Sequence, residues 1–432
     1  MLNRYLLIMT LTAAVLQAQT PALEQRVLEL EEKVRRLEAA LEAALGNRAL
    51  VVPVLGAAAP ASPATTATPL TPVSVKGDYR TSPDAETRLP VSGYMDFHVN
   101  KDVGDPFRPD FHRFVLLFGH SFSERIKFWS ELELEHALVE GGGKETGEVA
   151  LEQAYLDFLI KPYFNLRAGM VLAPVGIINE RHEPPAFNGV ERPFVETTII
   201  PTTWRELGMG VTGDLGRGFR YRAYVTSSLD ASRFDAEGGI TEGRTLGFDA
   251  SLRNPAKVGR LEYAGVRRLT LGTSFYTGHA GVNTPGVNPG VSLYEFDGRY
   301  SKGRVDFRGL FANTWVSQAA DLNRQLRIQT GRNPNVASQM RGYYLEPAVH
   351  VLPRRWRNDL ILFTRFERYN TQQKMPAGYV PLDEFNRSSW VTGVTFKPHA
   401  DVAVKFDYVV NRNESRLIQA INGINLGIGW WF

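Results

Sequence analysis

The sequence predicts an all-β fold: a transmembrane antiparallel β-barrel of about sixteen strands, with eighteen as the alternative, preceded by a short N-terminal coiled-coil helix. Three observations predict it. Beyond Pro90, segment after segment alternates apolar and polar residues with a period of two, which makes one surface of a strand oily and the other charged. The connections between these segments alternate short and long, as in a barrel with one turn end and one loop end. The last segment is amphipathic and finishes on an aromatic residue, Phe432.

Composition narrows the function classes. The chain has 432 residues, with 49 Lys plus Arg against 46 Asp plus Glu, a formal charge of +3. That near-neutral balance gives no electrostatic footprint for nucleic acid. Mean hydropathy is −0.21, and the longest strongly apolar run, Tyr5 to Leu16, has 12 residues, short of the roughly 20 that a helical span needs. Cysteine is absent, which excludes disulfides, thiolate catalysis and Cys-based zinc or iron–sulfur sites.

The N-terminal part reads as three segments. Residues 1–18 form an export signal, with Arg4 as the cationic start, an apolar core from Leu6 to Leu16, and a small residue, Ala18, at the cut. Residues 19–48 form a periplasmic coiled-coil segment. Leu23, Val27, Leu30, Val34, Leu37, Leu41 and Ala44 are spaced alternately four and three apart, the seam of a left-handed coiled coil. Arg26 and Lys33 can then meet Glu31 and Glu38 of an identical parallel neighbour. Residues 49–89 are rich in Pro, Ala and Thr and read as a semi-rigid linker.

The barrel itself is expected over 90–432. Ile126, Phe128, Leu132 and Leu134 oppose Lys127, Trp129, Glu131, Glu133 and Glu135, and Val402, Val404, Phe406, Tyr408 and Val410 oppose Lys405, Asp407 and Asn411. The expected strands centre on 91–100, 110–121, 126–138, 150–160, 164–173, 203–213, 218–228, 244–252, 265–277, 291–300, 303–316, 339–350, 358–368, 388–396, 401–411 and 421–432. The links after even-numbered strands are short, except Asn254 to Gly265. The third long connection, 174–202, is the longest. At the C-terminus Ile424, Leu426, Ile428, Trp430 and Phe432 share one face, and closure requires this strand to pair with the first, because an open edge cannot exist in lipid.

The segment LEQAYLDFLIKPYFNLRAGMVLAPVGI, residues 151–177, resembles the paired-strand signature of the phosphate-selective porin O and P family. VSGYMDFHVN, residues 91–100, and the C-terminal strand fit the same pattern. The resemblance covers about 90 to 432, with Glu152 to Gly176 its specific part. It implies a water-filled outer-membrane channel for passive diffusion of small hydrophilic solutes and ions, usually trimeric, with phosphate-type anions among the candidates. It therefore implies a homotrimer in outer-membrane lipid, with the third external loop, 174–202, folded inward. Phosphate selectivity belongs to family members with an arginine ladder and a lysine cluster in the lumen. Here Arg167, Arg220, Arg222, Arg268, Arg304, Arg308, Arg365 and Lys405 are offset by Glu131, Glu133, Glu135, Asp157, Glu206, Asp249, Glu295, Asp297, Asp306, Glu367 and Asp407. The expected field is modest, weakly cation-favouring or locally segregated, and suited to orienting dipolar solutes.

The candidate constriction and lumen residues are Glu131, Glu133, Glu135, Arg167, Arg220 and Arg222 on strands, and Glu180, Arg181, His182 and Arg192 in the long loop. His182 can tune the constriction as pH falls or hold the loop by a hydrogen bond. Glu191, Arg192 and Glu196 read as loop-to-wall salt bridges. Trp129, Tyr155 and Tyr224 could form a stacking track for sugars. No catalytic, cofactor or metal set is expected. GMGVTG at Gly208 to Gly213 matches a dinucleotide motif, but a strand follows it where that motif requires a helix, and no pair of the eight histidines has the i, i+4 spacing of a helical zinc site. Two rival readings remain, a barrel enzyme of the protease or lipase type and a structural outer-membrane tether.

Overall fold

A computed structural model of the chain describes residues 91–136, 148–353 and 356–432. The export signal, coiled-coil segment and linker expected over 1–89 lie outside the described residues. In chain order the strands are β1 (Val91–Asp102), β2 (Arg108–Ser121), β3 (Ile126–Glu135), β4 (Glu148–Lys161), β5 (Phe164–Leu172), β6 (Arg205–Gly216), β7 (Phe219–Thr226) and β8 (Ala256–Tyr263). They continue with β9 (Leu269–His279), β10 (Gly290–Lys302), β11 (Val305–Val316), β12 (Gln339–His350), β13 (Asp359–Lys374), β14 (Asn386–His399), β15 (Val402–Asn413) and β16 (Gly423–Trp431). Among the described residues one α-helix of about three turns, α1 (Ala319–Thr330), sits between β11 and β12.

The sixteen strands form one closed antiparallel barrel. Each pairs with its sequence neighbours, and β1 closes on β16 with Tyr94 opposite Trp431 and Val99 opposite Leu426. Gly93 and Phe432 exchange backbone hydrogen bonds of 3.0 and 2.9 Å, so the terminal aromatic residue completes the seam. Every strand edge is thereby satisfied, as a lipid environment demands.

Alternation along the strands becomes two surfaces. Phe296, Leu345, Leu362, Val404 and Leu426 point outward and are exposed, while their inward neighbours Glu295, Glu346, Lys405 and Asp407 are buried. The outward aromatics gather in two belts. Tyr294 and Trp315 near the loop end are 5.9 Å apart, and Phe366 and Trp390 are 4.8 Å apart. At the turn end Phe219 and Tyr263 are 4.5 Å apart. Girdles of this kind bracket the apolar band of a membrane barrel.

One strand lies elsewhere than the pattern suggests. The eighth was expected at 244–252 and forms at Ala256–Tyr263. Residues 244–252 alternate well, but the neighbouring registers decide: β7 pairs Phe219 with Tyr263 through to Thr226 with Ala256. The true strand was hidden because its inner face carries Arg260 and Glu262, and its outer face carries Lys257 and Gly259. A Cβ at Gly259 would lie 2.7 Å from Phe275 Cε1, so the missing side chain makes room for a ring on β9. The connection from β8 to β9 thus shortens to 264–268, which restores the short-turn rhythm. Asp249, expected on the lumen wall, sits in the loop and pairs with Arg233.

Candidate pore constriction

The connection from β5 to β6, residues 173–204, reaches the opposite wall. Val190 N donates to Asp407 Oδ2 on β15 at 2.6 Å, Val195 N to Glu367 Oε2 on β13 at 3.0 Å, and Asn188 Nδ2 to Glu346 Oε1 on β12 at 3.0 Å. Lys397 on β14 donates to Pro185 O at 2.8 Å. These strand side chains face the lumen, so the loop lies across the inside of the cylinder. The wall is flattened to receive it: a Cβ at Gly342 would lie 2.9 Å from Ile199 Cγ1, and one at Gly427 would lie 3.0 Å from Val190 Cγ1.

Glu196 pins the crossing. Its Oε2 accepts from Ile177 N and Ile178 N, both at 2.7 Å, and its Oε1 accepts from Tyr344 Oη at 2.6 Å. Burial raises its carboxyl to about 7, because removing a carboxylate from water penalises the charged form. Asn179 adds a second clamp, donating to Ala173 O at 2.7 Å and accepting from Trp204 N at 2.8 Å.

A second loop, between β7 and β8, crosses at the loop end. Thr241 Oγ1 donates to Thr198 O at 3.3 Å, while Thr371 on β13 donates to Ala236 O at 2.6 Å and Arg387 on β14 to Glu237 O at 2.8 Å. Leu229, Phe234 and Ile240 of this loop, Leu322 and Leu326 of α1, and Val195 and Ile199 of the first loop join Val258, Leu293, Leu310 and Tyr344 of the wall in one buried apolar cluster. That half of the lumen is packed like a protein interior, with an apolar driving force of about 25 cal/mol per Å² buried.

The other half stays open. A cavity of about 380 Å³ lies between the crossing loop and strands β1 to β4. Its lining carries six carboxylates (Asp96, Glu133, Glu135, Glu148, Glu152, Glu191) and four guanidiniums (Arg113, Arg192, Arg205, Arg244). Arg113 Nε, Glu133 Oε1, Glu152 Oε1 and Arg205 Nε are buried on this wall without a protein hydrogen-bond partner. Buried polar groups need partners, and here opposite charges face one another: Arg113 lies 3.4 Å from Glu133, and Arg205 3.8 Å from Glu152. Arg192 donates to Thr202 Oγ1 at 2.9 Å and Thr203 Oγ1 at 3.0 Å. Burial first, and then the nearby Arg113 charge, lower its affinity for a proton.

The sequence-derived candidates fall into two groups. Glu133, Glu135, His182 and Arg192 line the cavity, whereas Arg167, Glu180, Arg181, Arg220 and Arg222 do not. Arg167 forms a two-pronged pair with Asp157 at 2.7 and 2.8 Å and covers the Tyr155 ring at 3.9 Å. Arg222 pairs with Glu180, and Arg220 with Glu262 at 3.0 Å. Glu131 is fully buried, receiving hydrogen bonds from Tyr94 Oη at 3.3 Å and from Gln153, so it does not form a wet stripe with Glu133 and Glu135. His182 Nε2 sits 2.9 Å from Glu152 Oε2 and ties the loop to β4. Glu191 reaches the wall at Asn100, 2.9 Å away, whereas Arg192 bonds within its own loop and makes no wall ion pair among the described residues. Tyr155 and Tyr224 are buried and offer no stacking track, and GMGVTG lies inside β6.

Asp96, Arg113, Glu148, Glu152, Arg205 and Arg244 were not anticipated. Glu148 and Glu152 carried a usable signal: Glu148 is paired with Glu135 across β3 and β4, so acidic residues on both strands share one face. Asp96 and Arg113 are likewise directly opposite on β1 and β2.

No family model matches the chain. An uncharacterized protein of Aquifex aeolicus (strain VF5) is 39% identical over 332 residues, 74% of each chain. The chain belongs to the family of that Aquifex protein. Among solved structures, Salmonella typhi OmpF in complex with daunomycin aligns over 79% of this chain and 97% of its own, with a TM-score of 0.55 and 10% identity. An anion-selective porin from Comamonas acidovorans aligns over 79% and 98%, with a TM-score of 0.50 and 12% identity. The outer membrane channel DcaP of Acinetobacter baumannii aligns over 79% and 96%, with a TM-score of 0.50 and 11% identity. At such identities the likeness is one of fold: the family has the barrel of outer-membrane porins.

Proposed function

We propose that this chain is an outer-membrane porin that lets small hydrophilic solutes and ions diffuse passively through a water path beside β1 to β4. The observation that carries the reading is the polar cavity next to the crossing loop, lined by six carboxylates and four guanidiniums. A path bounded by a loop on one side and charged strands on the other filters by width and by charge. Six carboxylates against four guanidiniums favour cations weakly. Arg113 and Arg205 face carboxylates, so this lining gives no support for phosphate selectivity. A homotrimer fits this reading, because porin-type barrels associate side by side in the membrane.

The test is reconstitution of the folded protein in a planar bilayer, recording conductance, the reversal potential under a salt gradient, and block by phosphate, pyrophosphate and sugars. Ohmic single-channel steps with a weak cation preference are expected. Conductance at the bilayer background from protein shown to be folded would defeat the proposal.

A further inference from the structure

Of the chain's eight histidines, three converge on one carboxylate at the loop end of β1 to β3. His98 Nε2 lies 3.4 Å from Asp110 Oδ2, His112 Nδ1 3.2 Å and His136 Nδ1 3.1 Å from the same oxygen. The His98 and His112 rings are 4.4 Å apart, and the His112 and His136 rings 5.3 Å. Strand pairing builds the cluster: His98 is directly opposite Asp110, and a register shift between that pair and the Asp96–Arg113 pair places an extra residue in β2. Such a bulge re-aims side chains, which puts Asp110 and His112 on the same side as Arg113 and His98. His136 follows β3 with φ of 56° and donates its backbone N–H to His112 O at 2.9 Å.

We infer that His98, Asp110, His112 and His136 form a binding site for a divalent transition-metal ion of the zinc, nickel or copper class. The ligand atoms of His98, Asp110 and His112 lie within 4.8 Å of one another, near the roughly 3.3 Å edge of a tetrahedral ion's ligands, and His136 Nδ1 reaches the set through Asp110 at 3.1 Å, so a small ring movement brings it in as the fourth ligand. The Asp110 carboxylate faces three imidazole nitrogens at once, meeting His136 Nδ1 with both oxygens at 3.2 and 3.1 Å. The rear nitrogens are also supported. His98 Nδ1 faces Glu191 Oε1 at 3.3 Å, and His112 Nε2 faces Glu135 Oε1 at 3.8 Å. A carboxylate behind a ligating imidazole fixes its tautomer and raises its basicity. Arg113 also touches His112 Nε2, but it has Glu133 and Asp96 as carboxylate partners and can release the ring. Three nitrogens and one oxygen favour borderline transition ions, whereas calcium and magnesium take six or more oxygens.

The position gives the ion a consequence. His112, Glu135 and Glu191 also line the cavity, so a bound dication would sit on its rim and tie the crossing loop, through Glu191, to β1. Zn²⁺ titrated by calorimetry into the folded, detergent-solubilised chain should bind at one ion per chain. His112→Asn and Asp110→Asn should each weaken binding at least about tenfold, and Glu191→Gln, which touches the rear of His98 and Asn100 but none of the proposed ligand atoms, should weaken it by about tenfold. Co²⁺ should give visible ligand-field bands that His136→Asn alters, and Mg²⁺ or Ca²⁺ should not compete. Folding of each variant is checked by heat-modifiable migration and β-type circular dichroism. Absent Zn²⁺ binding by the folded parent chain, affinity within twofold of the parent in folded His112→Asn, or equal competition by Mg²⁺ would each overturn the site. Because binding is read in detergent, a non-conducting barrel that binds Zn²⁺ would defeat the channel reading and leave the metal site standing.

Discussion

Two walls of the same cylinder are built differently above the level of the crossing loop. On β8 to β12 the inward residues include Val258, Leu293, Leu310, Met340 and Tyr344, onto which two loops and α1 pack, and the charges on the same face, Arg260 with Glu262, Glu295 and Asp297, are paired with one another. On β1 to β4 the residues that face inward are Asp96, His98, Arg113, Glu133 and Glu152, and a cavity remains. Both walls present an apolar surface to the outside. The inner face alone decides where loops settle: an apolar wall gains from being covered, while a charged wall resists desolvation unless every charge is paired. Water is therefore displaced from one half of the lumen and kept in the other.

The largest expected break in this comparison comes from the packed half. Trp204 is completely buried, packs against Tyr276 with ring centroids 4.7 Å apart and planes tilted by 50°, and closes the base of the crossing loop. Trp204→Ala should lower stability by about 3–5 kcal/mol, measured by denaturant unfolding in detergent, and should add current noise as the loop loosens. An unchanged midpoint would mean that this cluster does not hold the loop.

A smaller effect should follow pH. The carboxyl of Glu196 is raised by burial to about 7, above its unfolded value near 4.3. A group raised on folding contributes stability in full below its unfolded pKa and loses it as pH rises through the folded pKa. The midpoint of unfolding should thus fall between pH 5 and pH 8, and Glu196→Gln, which keeps an acceptor for Ile177 and Ile178, should flatten that slope. Parallel slopes in the two proteins would exclude Glu196 as the titrating group.

The wet half should respond in selectivity and barely in stability. Glu135→Gln with Glu148→Gln should move the reversal potential toward anions while changing stability by no more than about 0.5 kcal/mol. Glu131→Gln, by contrast, should leave the reversal potential alone, since Glu131 is sealed beneath Tyr94 and Gln153. A shift from Glu131→Gln equal to that from Glu135→Gln would place both on the path and erase the distinction between them.

How far the sequence could be read follows from the range of the forces involved. The alternation in β3, β12 and β15 is a property of neighbouring residues, so it was visible without any partner. Strand β8 was not, because its position is set by pairing with β7 and β9 while its own faces are blurred by Gly259 and Arg260. Among the candidate residues, Glu133 and Glu135 were legible from period two. Glu131 has the same parity and still ends in a dry pocket, because the register shift between Glu131 and Leu132 and the approach of His182 seal it.

What the sequence determined alone was the class of barrel: an antiparallel cylinder of about sixteen strands, the oily exterior, and the terminal strand that closes the ring, encoded by a two-residue period that the strands other than β8 carry locally. What only the tertiary structure decided was which part of the interior stays wet and which side chains meet there. Val190 bonds Asp407 across 217 residues of chain, and His98, His112 and His136 come together only because three strands pair in one register. Contacts of that range depend on closure of the whole cylinder, and no local pattern contains them.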